Sequence, residues 1–166
     1  MTTKIGCVTE EALQKYTELS DKLARKELHT TLMGFFERHY NISELLDWLH
    51  ATVKWTEGPL VRHRDPLEII DFGKGRCGEF SILFTAVCLA HNYRARLILD
   101  MSDHVWTEVW DNKQQRWIHV DPSEKRIDDP MMYERDWKKN LTMVYALENG
   151  NTENVTRNYK SKIIIT

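Results

Sequence analysis

Hydrophobic residues recur at helical spacing in the first half of the chain and alternate with polar residues in the second half. Thr9 followed by EEALQKY predicts an N-capped helix that continues to about His39, with a break near Gly34. Asn41 opens a second amphipathic segment, NISELLDWL, and the Asp65–Pro66 pair opens a shorter one. The first half of the chain is therefore predicted to be helical.

The hydrophobic period changes after Cys77. The segment FSILFTAVCLAHNY is apolar on all sides, which is typical of a buried helix. RARLILD, HVWTEVWD and QRWIHVD then alternate and are rich in β-branched and aromatic residues, so they predict consecutive strands. A helical patch near 130–140 and two further strands, LTMVYALE and either VTRNY or KIIIT, complete the prediction. Helices followed by strands indicate an α+β fold with an antiparallel sheet.

Composition narrows the class of protein. A chain of 166 residues is expected to form one domain, and a net charge of −2 offers no bulk attraction to nucleic acid or an anionic membrane. The first 22 residues carry charges every few positions, which predicts no signal peptide, and no apolar run is long enough to span a bilayer. The odd cysteine count (Cys7, Cys77 and Cys88) favours reduced thiols and a cytoplasmic location.

Two of the predicted strands can fold back on each other as a hairpin around residues 111–114. That register places Trp110 opposite Gln115 and His104 opposite Asp121. Opposed residues have Cβ atoms roughly 4.5–5.5 Å apart, so the imidazole and the carboxylate are expected to form a hydrogen bond. The same face, expected to be a binding groove, carries five further residues: Trp106, Glu108, Trp110, Trp117 and His119.

Cys77 fits the chemistry of this pair. Backbone N–H groups at the start of a helix stabilise a thiolate, and Gly75 and Gly78 leave room for a substrate. A cysteine, a histidine and an orienting carboxylate form the usual arrangement for acyl transfer, and the N–H of Cys77 could contribute to an oxyanion hole. A single cysteine before an apolar helix more often serves packing, as we expect for Cys88 and Cys7. The facing His104 and Asp121 favour a catalytic role for Cys77.

The sequence predicts neither a metal nor a cofactor. It contains no CxxC pair and no HxxxH motif, so a tetrahedral zinc site is not expected. GKGRCG has neither the length nor the preceding strand of a phosphate-binding loop.

Three segments, GKGRCGEF, DHVWTEVW and RWIHVDPSE, resemble the catalytic motifs of the transglutaminase-like superfamily. Within it they are most similar to the cytoplasmic peptide:N-glycanases. LLDWLHATVKW, DPLEIIDFGKGRCGE and PMMYERDWKKNLTMVYAL extend the resemblance over residues 41 to 160. It implies a catalytic core over residues 41–166 and a helical extension, residues 1–40, packed on that core.

The resemblance implies a papain-like α+β core and hydrolysis, through a thioester, of the amide that joins asparagine to N-acetylglucosamine in glycoproteins. Cys77 would be the nucleophile, His104 the general base and acid, and Asp121 the orienting residue. The residues implied in substrate binding are Trp106, Glu108, Trp117, Glu124 and, through an indole N–H near the oxyanion site, Trp55.

The sequence also departs from the glycanases. TEGPLVRHR stands where those enzymes carry a zinc-binding insertion with two CxxC pairs, and HVDP is common in prokaryotic transglutaminase-like proteins. Two alternatives therefore stay open. One is a transglutaminase-like cysteine protease or glutamine–lysine crosslinking enzyme. The other is a non-catalytic binding module, which the intact cysteine, histidine and aspartate disfavour.

Overall fold

The computed structural model describes residues 4–5 and 8–161. The helices are α1 (Glu10–Leu23), α2 (Lys26–Met33), α3 (Ile42–Thr52), α4 (Pro66–Phe72), α5 (Cys77–Ala90) and α6 (Met132–Arg135), followed by a 3-10 turn at Thr156–Asn158. The strands are β1 (Lys4–Ile5), β2 (Val8–Thr9), β3 (Lys54–Trp55), β4 (Lys74–Gly75), β5 (Ala95–Asp100), β6 (His104–Asp111), β7 (Arg116–Asp121), β8 (Arg126–Ile127), β9 (Val144–Glu148) and β10 (Asn151–Asn154).

The main sheet has six strands in the order β10-β9-β5-β6-β7-β8, and every neighbouring pair is antiparallel. Helices precede this sheet, which confirms the predicted α+β class. A short parallel ladder pairs β3 with β4 and places Trp55 opposite Gly75. Since Gly75 lies two residues before Cys77, this ladder brings the end of the α3 segment to the start of α5.

Helix α5 lies in the core, as its all-round apolar sequence predicted. Two hydroxyl contacts connect it to β6: Ser81 donates to the carbonyl of Val105 at 2.9 Å, and the hydroxyls of Thr85 and Thr107 are 3.0 Å apart. Buried polar groups are stabilised when they are paired, so these contacts set the position of the helix along the strand. They bring the first turn of α5 close to the beginning of β6.

The central strands of the sheet are buried on both faces. Helices cover one face, where Leu23 and Leu32 of the two N-terminal helices share a core with Phe84. The other face carries a second apolar cluster that includes Trp106 and Tyr133. The prediction of an open groove on this face is therefore wrong where Trp106 lies, because α6 and the chain around the 3-10 turn cover it.

The N-terminal helical region confirms the predicted start and the break near Gly34, and it adds a second break. The predicted continuation to His39 is wrong, because no helix resumes between Gly34 and His39. Thr9 caps α1 by accepting from the N–H of Ala12 at 3.1 Å, and α2 ends at Gly34. The chain also leaves the helix at Ala24 and Arg25, where His29 donates a ring N–H to the carbonyl of Leu23 at 2.6 Å. A side chain from the next helix thus satisfies a carbonyl that the helix end leaves free.

The last strand differs from the prediction. VTRNY forms the 3-10 turn rather than a strand, and KIIIT lies outside the described residues. The outer neighbour of β9 is β10, which is joined to it by Asn149 and Gly150, both with positive φ (49° and 80°). Asn-Gly is the strongest short hairpin signal, and it stands in the sequence ENGN.

No helix in the described part of the chain is long and apolar enough to cross a membrane.

Candidate active site

The hairpin of β6 and β7 has a register two residues away from the predicted one. Trp110 pairs with Trp117, and Asp111 pairs with Arg116, so the loop occupies residues 112–115. The Asp111 carboxylate accepts from the N–H of Lys113 at 2.9 Å, and Gln115 takes a positive φ of 52°. Because side chains alternate with a period of two, this shift leaves every side chain on its predicted face.

His104 and Asp121 are consequently not directly opposed, and they still meet. Nε2 of His104 lies 2.9 Å from Oδ2 of Asp121, and both side chains are buried. Long side chains can reach diagonal neighbours across an antiparallel pair. The predicted contact is therefore present although the predicted register is wrong.

Asp121 receives four hydrogen bonds and is fully buried. Oδ2 accepts from His104 and from the Tyr133 hydroxyl at 2.7 Å. Oδ1 accepts from the Ser123 hydroxyl at 3.0 Å and from the N–H of Glu124 at 3.2 Å. Burial alone would raise the pKa of Asp121, but the hydrogen bond and positive charge of His104, together with Tyr133, hold it below 3.8. The group is a fixed carboxylate.

His104 is held in its charged form. Burial lowers its pKa, while hydrogen bonds to Asp121 and Cys77 and their charges raise it, with a net value of about 9. Since Nε2 faces Asp121, Nδ1 is the nitrogen available to Cys77. An imidazolium beside the thiol is the partner that a nucleophilic thiolate requires.

Cys77 is the first residue of α5 and is partly exposed. The N–H of Arg76 donates to Glu79 Oε1 at 2.9 Å, which organises the first turn of the helix. A Cβ at Gly75 would lie 2.4 Å from Cβ of Glu79, so this glycine makes room for Glu79 rather than for a substrate. A Cβ at Gly78 would lie 3.3 Å from Tyr16 Oη, at the side of the cleft.

A cavity of about 310 Å³ opens beside Cys77. Trp55 lines it and is 48% exposed, as a substrate-contacting residue would be. Its indole N–H donates to Glu57 Oε1 at 2.8 Å, so in this conformation it is not free to act as an oxyanion donor. The remaining lining consists of Tyr16, Arg62, His63, Arg64, Arg76, Gly78, Glu79, Ile82, Asp103 and Val105.

A second cavity, of about 400 Å³, lies against β6 and β7 and includes Glu108, Trp117 and Tyr159. Glu108 is buried and accepts hydrogen bonds from Arg96 and from the Tyr159 hydroxyl. The Arg96 guanidinium lies over the Trp117 ring at 3.9 Å. Glu108 and Trp117, two residues predicted to contact the substrate, therefore line the same cavity against β6 and β7.

Trp106 and Glu124 have different surroundings. Trp106 is fully buried and stacks on Tyr133 with ring centroids 4.2 Å apart, so it offers no surface to a ligand. Glu124 is exposed next to Asp121, to which its backbone N–H donates. Trp106 packs against the His104 ring with centroids 5.6 Å apart, whereas the Glu124 side chain is exposed to solvent.

Three residues near His104 and Asp121 were not assigned to the site from the sequence. Tyr133 connects Asp121 with Nε2 of His119, which is 2.8 Å from its hydroxyl. Trp137 packs edge-on against the His104 ring with centroids 4.9 Å apart and remains 39% exposed. Ser123 donates to Asp121. The matched segment PMMYERDWKK contains the two aromatic residues, but only packing shows their contacts with β6 and β7.

The described ranges contain no group of three or more His, Cys, Asp or Glu side chains arranged to hold a metal ion.

A cysteine at the start of a core helix, with a histidine and an aspartate from an adjacent antiparallel sheet, has the layout of a cysteine acyl-transfer site on a transglutaminase-like fold. The model of the transglutaminase-like superfamily matches residues 21–122, and the chain belongs to this superfamily. A model of the Rad4 transglutaminase-like domain matches residues 101–165.

Curated relatives named peptide-N(4)-(N-acetyl-beta-glucosaminyl)asparagine amidase match the central part of the chain. The Arabidopsis thaliana protein is 45% identical over 101 residues, which are 61% of this chain and 14% of the relative. The Drosophila melanogaster protein is 42% identical over 103 residues (62% and 16%), and the Homo sapiens protein is 41% identical over 101 residues (61% and 15%). The chain thus corresponds to about one seventh of the length of these relatives.

Solved structures of Rad4 share the fold. A structure that addresses DNA duplex opening by the Rad4/XPC nucleotide excision repair complex has a TM-score of 0.66 and 16% identity, covering 89% of this chain and 47% of that chain. Rad4–Rad23 bound to a 6-4 photoproduct lesion has a TM-score of 0.55 at the same identity, with 89% and 44% covered. At this identity the similarity concerns the fold alone.

Proposed function

We propose that this protein is a cysteine-dependent amidase that hydrolyses the amide between asparagine and N-acetylglucosamine in glycoproteins or glycopeptides. The observation that carries the proposal is the buried His104, which interacts with the Asp121 carboxylate and with Cys77 at the edge of an open cleft. Relatives that are 41–45% identical over the same region and are named as this amidase support the choice of substrate.

In the first step the Cys77 thiolate attacks the carbonyl carbon of the side-chain amide. The carbonyl oxygen becomes an oxyanion, for which the N–H at the start of α5 is a suitable donor. When the intermediate collapses, the C–N bond breaks and the His104 imidazolium gives its proton to the departing nitrogen. The products are a thioester on Cys77 and a glycosylamine.

In the second step water attacks the thioester. Neutral His104 accepts a proton from the water molecule, and Asp121 stabilises the imidazolium that forms. The C–S bond breaks, aspartate is released, and the thiolate–imidazolium pair is restored. The amide is consumed with one water molecule, and no cofactor takes part.

The sugar would lie on the side of His104 that carries exposed aromatic and acidic groups. Trp137 offers an exposed ring beside His104, and Glu124 offers a free carboxylate next to Asp121. Trp117 lines the second cavity, where an indole ring suits the apolar face of a sugar. Glu108 lines the same cavity, but its carboxylate is already paired with Arg96 and the Tyr159 hydroxyl, so it supports this wall and does not bind a sugar hydroxyl. A reducing, cytoplasmic location, which the odd number of cysteines favours, would keep the Cys77 thiol free.

The test is release of N-glycan from a denatured glycoprotein. We expect the wild type to release free glycan and to convert the linked asparagine to aspartate, and Cys77→Ala to abolish both without changing the melting temperature by more than a few degrees. Cys88→Ala is the matched control, because Cys88 is buried within α5 and should affect stability rather than chemistry.

The same preparation separates the alternatives. Cleavage or crosslinking of a peptide substrate without glycan release would overturn the proposal in favour of a protease or a crosslinking enzyme. If iodoacetamide fails to modify Cys77 in the folded protein at neutral pH, as judged by peptide mass, a non-catalytic module would explain the chain better.

A further inference from the structure

The cleft beside Cys77 carries more guanidinium groups than carboxylates, although the whole chain is slightly acidic. Arg62, Arg64 and Arg76 line it together with two acids, Glu79 and Asp103. Which of these charges are already neutralised decides what the cleft can bind.

Arg62 is fully engaged. Its Nε lies 2.7 Å from Glu79 Oε2 and its second nitrogen 2.8 Å from Oε1, while the N–H of His63 donates to the same carboxylate at 3.2 Å. Glu79 is only 2% exposed. This pair holds the loop before α4 against α5, so Arg62 is a structural residue and not a free charge.

Arg76 and Arg64 are not neutralised in this way. The Arg76 guanidinium donates to the carbonyls of Thr56 and Gly58, which satisfy its hydrogen bonds without cancelling its charge. Arg64 is exposed and takes part in no ion pair within the described part of the chain. Its guanidinium carbon lies 5.3 Å from the centre of the Tyr16 ring, a contact that orients the side chain at the cleft.

Tyr16 brings a hydroxyl from α1 to the same wall. A Cβ at Gly78 would lie 3.3 Å from this hydroxyl oxygen, which is therefore next to the residue that follows the nucleophile. Burial raises the pKa of Tyr16, and the nearby arginines only partly oppose this. The hydroxyl is thus a hydrogen-bond donor at neutral pH, and it belongs to the ring that the Arg64 guanidinium contacts.

We propose that Arg64 and Tyr16 form a carboxylate-binding subsite, so that the enzyme prefers glycopeptides with Asp or Glu beside the glycosylated asparagine. This inference rests on the proposed amidase function. A guanidinium and a hydroxyl match the two oxygens of a carboxylate, and the cleft places them close to the reacting thiol. Arg76 lines the same cavity and adds positive charge to it.

The negative charge of Asp103 repels an acidic peptide and so opposes this preference. It is exposed, lines the same cavity, and its carboxylate takes part in no ion pair among the described side chains. It also has a positive φ of 88°, which asparagine tolerates. Removal of this charge should therefore strengthen binding of an acidic peptide, whereas removal of the Arg64 charge should weaken it.

The experiment uses N-acetylated, C-terminally amidated glycopeptides with one glycan and either Asp or Asn on each side of the glycosylated residue. The readout is the ratio of kcat/KM for the acidic peptide to that for its neutral counterpart. We expect the ratio to exceed one in the wild type and to fall roughly two- to fivefold in Arg64→Gln, the range for an exposed ion pair. It should rise in Asp103→Asn and fall in Tyr16→Phe, which keeps the ring under Arg64.

Arg157→Gln is the matched control, since Arg157 is exposed and does not line this cavity. A wild-type ratio of one, or a ratio that Arg64→Gln leaves unchanged, would overturn the subsite. The same peptides with a free C-terminal carboxylate in place of the amide are a further comparison. A preference that appears only with these peptides would overturn the assignment of the subsite to acidic side chains. Added salt should lower the ratio, because exposed charge pairs are screened.

Failure of the amidase proposal gives a different result. If no peptide loses its glycan, binding of the same peptides to Cys77→Ala still measures the subsite without chemistry. Tighter binding of the acidic peptide that is lost in the double variant with Arg64→Gln supports the subsite, and equal binding of both peptides overturns it.

Discussion

At the scale of single residues, a chain of hydrogen bonds fixes the orientation of the Asp121 carboxylate. The N–H of Asp129 donates to His119 Nδ1, so neutral His119 donates from Nε2 to the Tyr133 hydroxyl, which in turn donates to Asp121. Burial lowers the pKa of His119 to about 4, so this ring is neutral at neutral pH. A neutral ring that accepts at Nδ1 can only donate at Nε2, so the direction of each hydrogen bond in the chain is fixed. Asp121 thereby keeps one orientation towards His104.

Tyr133→Phe tests this positioning role. The change removes a donor to Asp121 and the acceptor for His119, so we expect a loss of about 1–3 kcal/mol in the free energy of unfolding. We also expect kcat to fall several-fold more than KM changes. Urea unfolding and glycan-release kinetics check both values.

Tyr93→Phe is the control, because its hydroxyl donates to the carbonyl of Tyr40 at 2.8 Å, a contact outside the site. It should cost stability but leave kcat unchanged. Equal effects of the two variants on kcat would show that Tyr133 acts only through stability.

At the scale of elements, the start of α5 depends on the fit of β4 against its first turn. Gly75 in β4 pairs with Trp55 in β3, and its missing side chain admits Glu79, which also anchors Arg62. Burial alone would raise the pKa of Glu79, but Arg62 and the N–H of Arg76 hold it below its usual value. The loop, the short ladder and the helix are thus one unit around Cys77.

Gly75→Ala should disrupt this unit. The added Cβ would lie 2.4 Å from Cβ of Glu79, which forces the helix turn or the ladder to move. We expect the free energy of unfolding to fall by about 1–3 kcal/mol and the glycan-release rate to fall as well. Gly34→Ala, where the nearest atom is the Thr31 carbonyl at 3.1 Å, should cost less and spare activity.

At the scale of the whole molecule, two histidines act on stability in opposite directions. The pKa of His104 is raised to about 9, so its contribution is complete below about pH 6.5 and is lost as pH rises through 9. The pKa of His119 is lowered to about 4, so the unfolded chain binds its proton first as pH falls below about 6.5. The contribution of these two histidines to stability should therefore be greatest near pH 6.5 and decline on both sides.

Urea unfolding between pH 4 and pH 10 measures both effects. The pKa of His119 is about 6.5 in the unfolded chain and about 4 in the folded protein. This difference predicts that protonation of His119 lowers the free energy of unfolding by about 3 kcal/mol as pH falls through this range. His91, whose pKa burial also lowers, adds to the decline. His119→Gln should flatten the acidic side and leave the alkaline side unchanged. A similar acidic slope in this variant would contradict the assignment.

Much of the fold and part of the site followed from local pattern. The N-cap at Thr9, the helix from Asn41, the buried helix after Cys77 and the three consecutive strands that follow it agree with the structure, because period and capping act over neighbouring residues. The predicted faces of the hairpin side chains also agree with the structure, since a register shift of two residues leaves each side chain on the same face. The extra break at Ala24 and the Asn149–Gly150 turn were missed, the latter despite a clear local signal.

The sequence by itself thus determined the class of fold and which face of β6 carries His104. Only the tertiary structure decided the register, the burial of Trp106, the contact of Tyr133 with Asp121 and the approach of Tyr16 to the cleft. The physical reason is that these contacts join residues that are far apart in the sequence, where a local pattern carries no information about pairing. Tyr16 and Gly78 come together through helix packing, and a hydrophobic pattern records that a face is covered but not which side chain covers it.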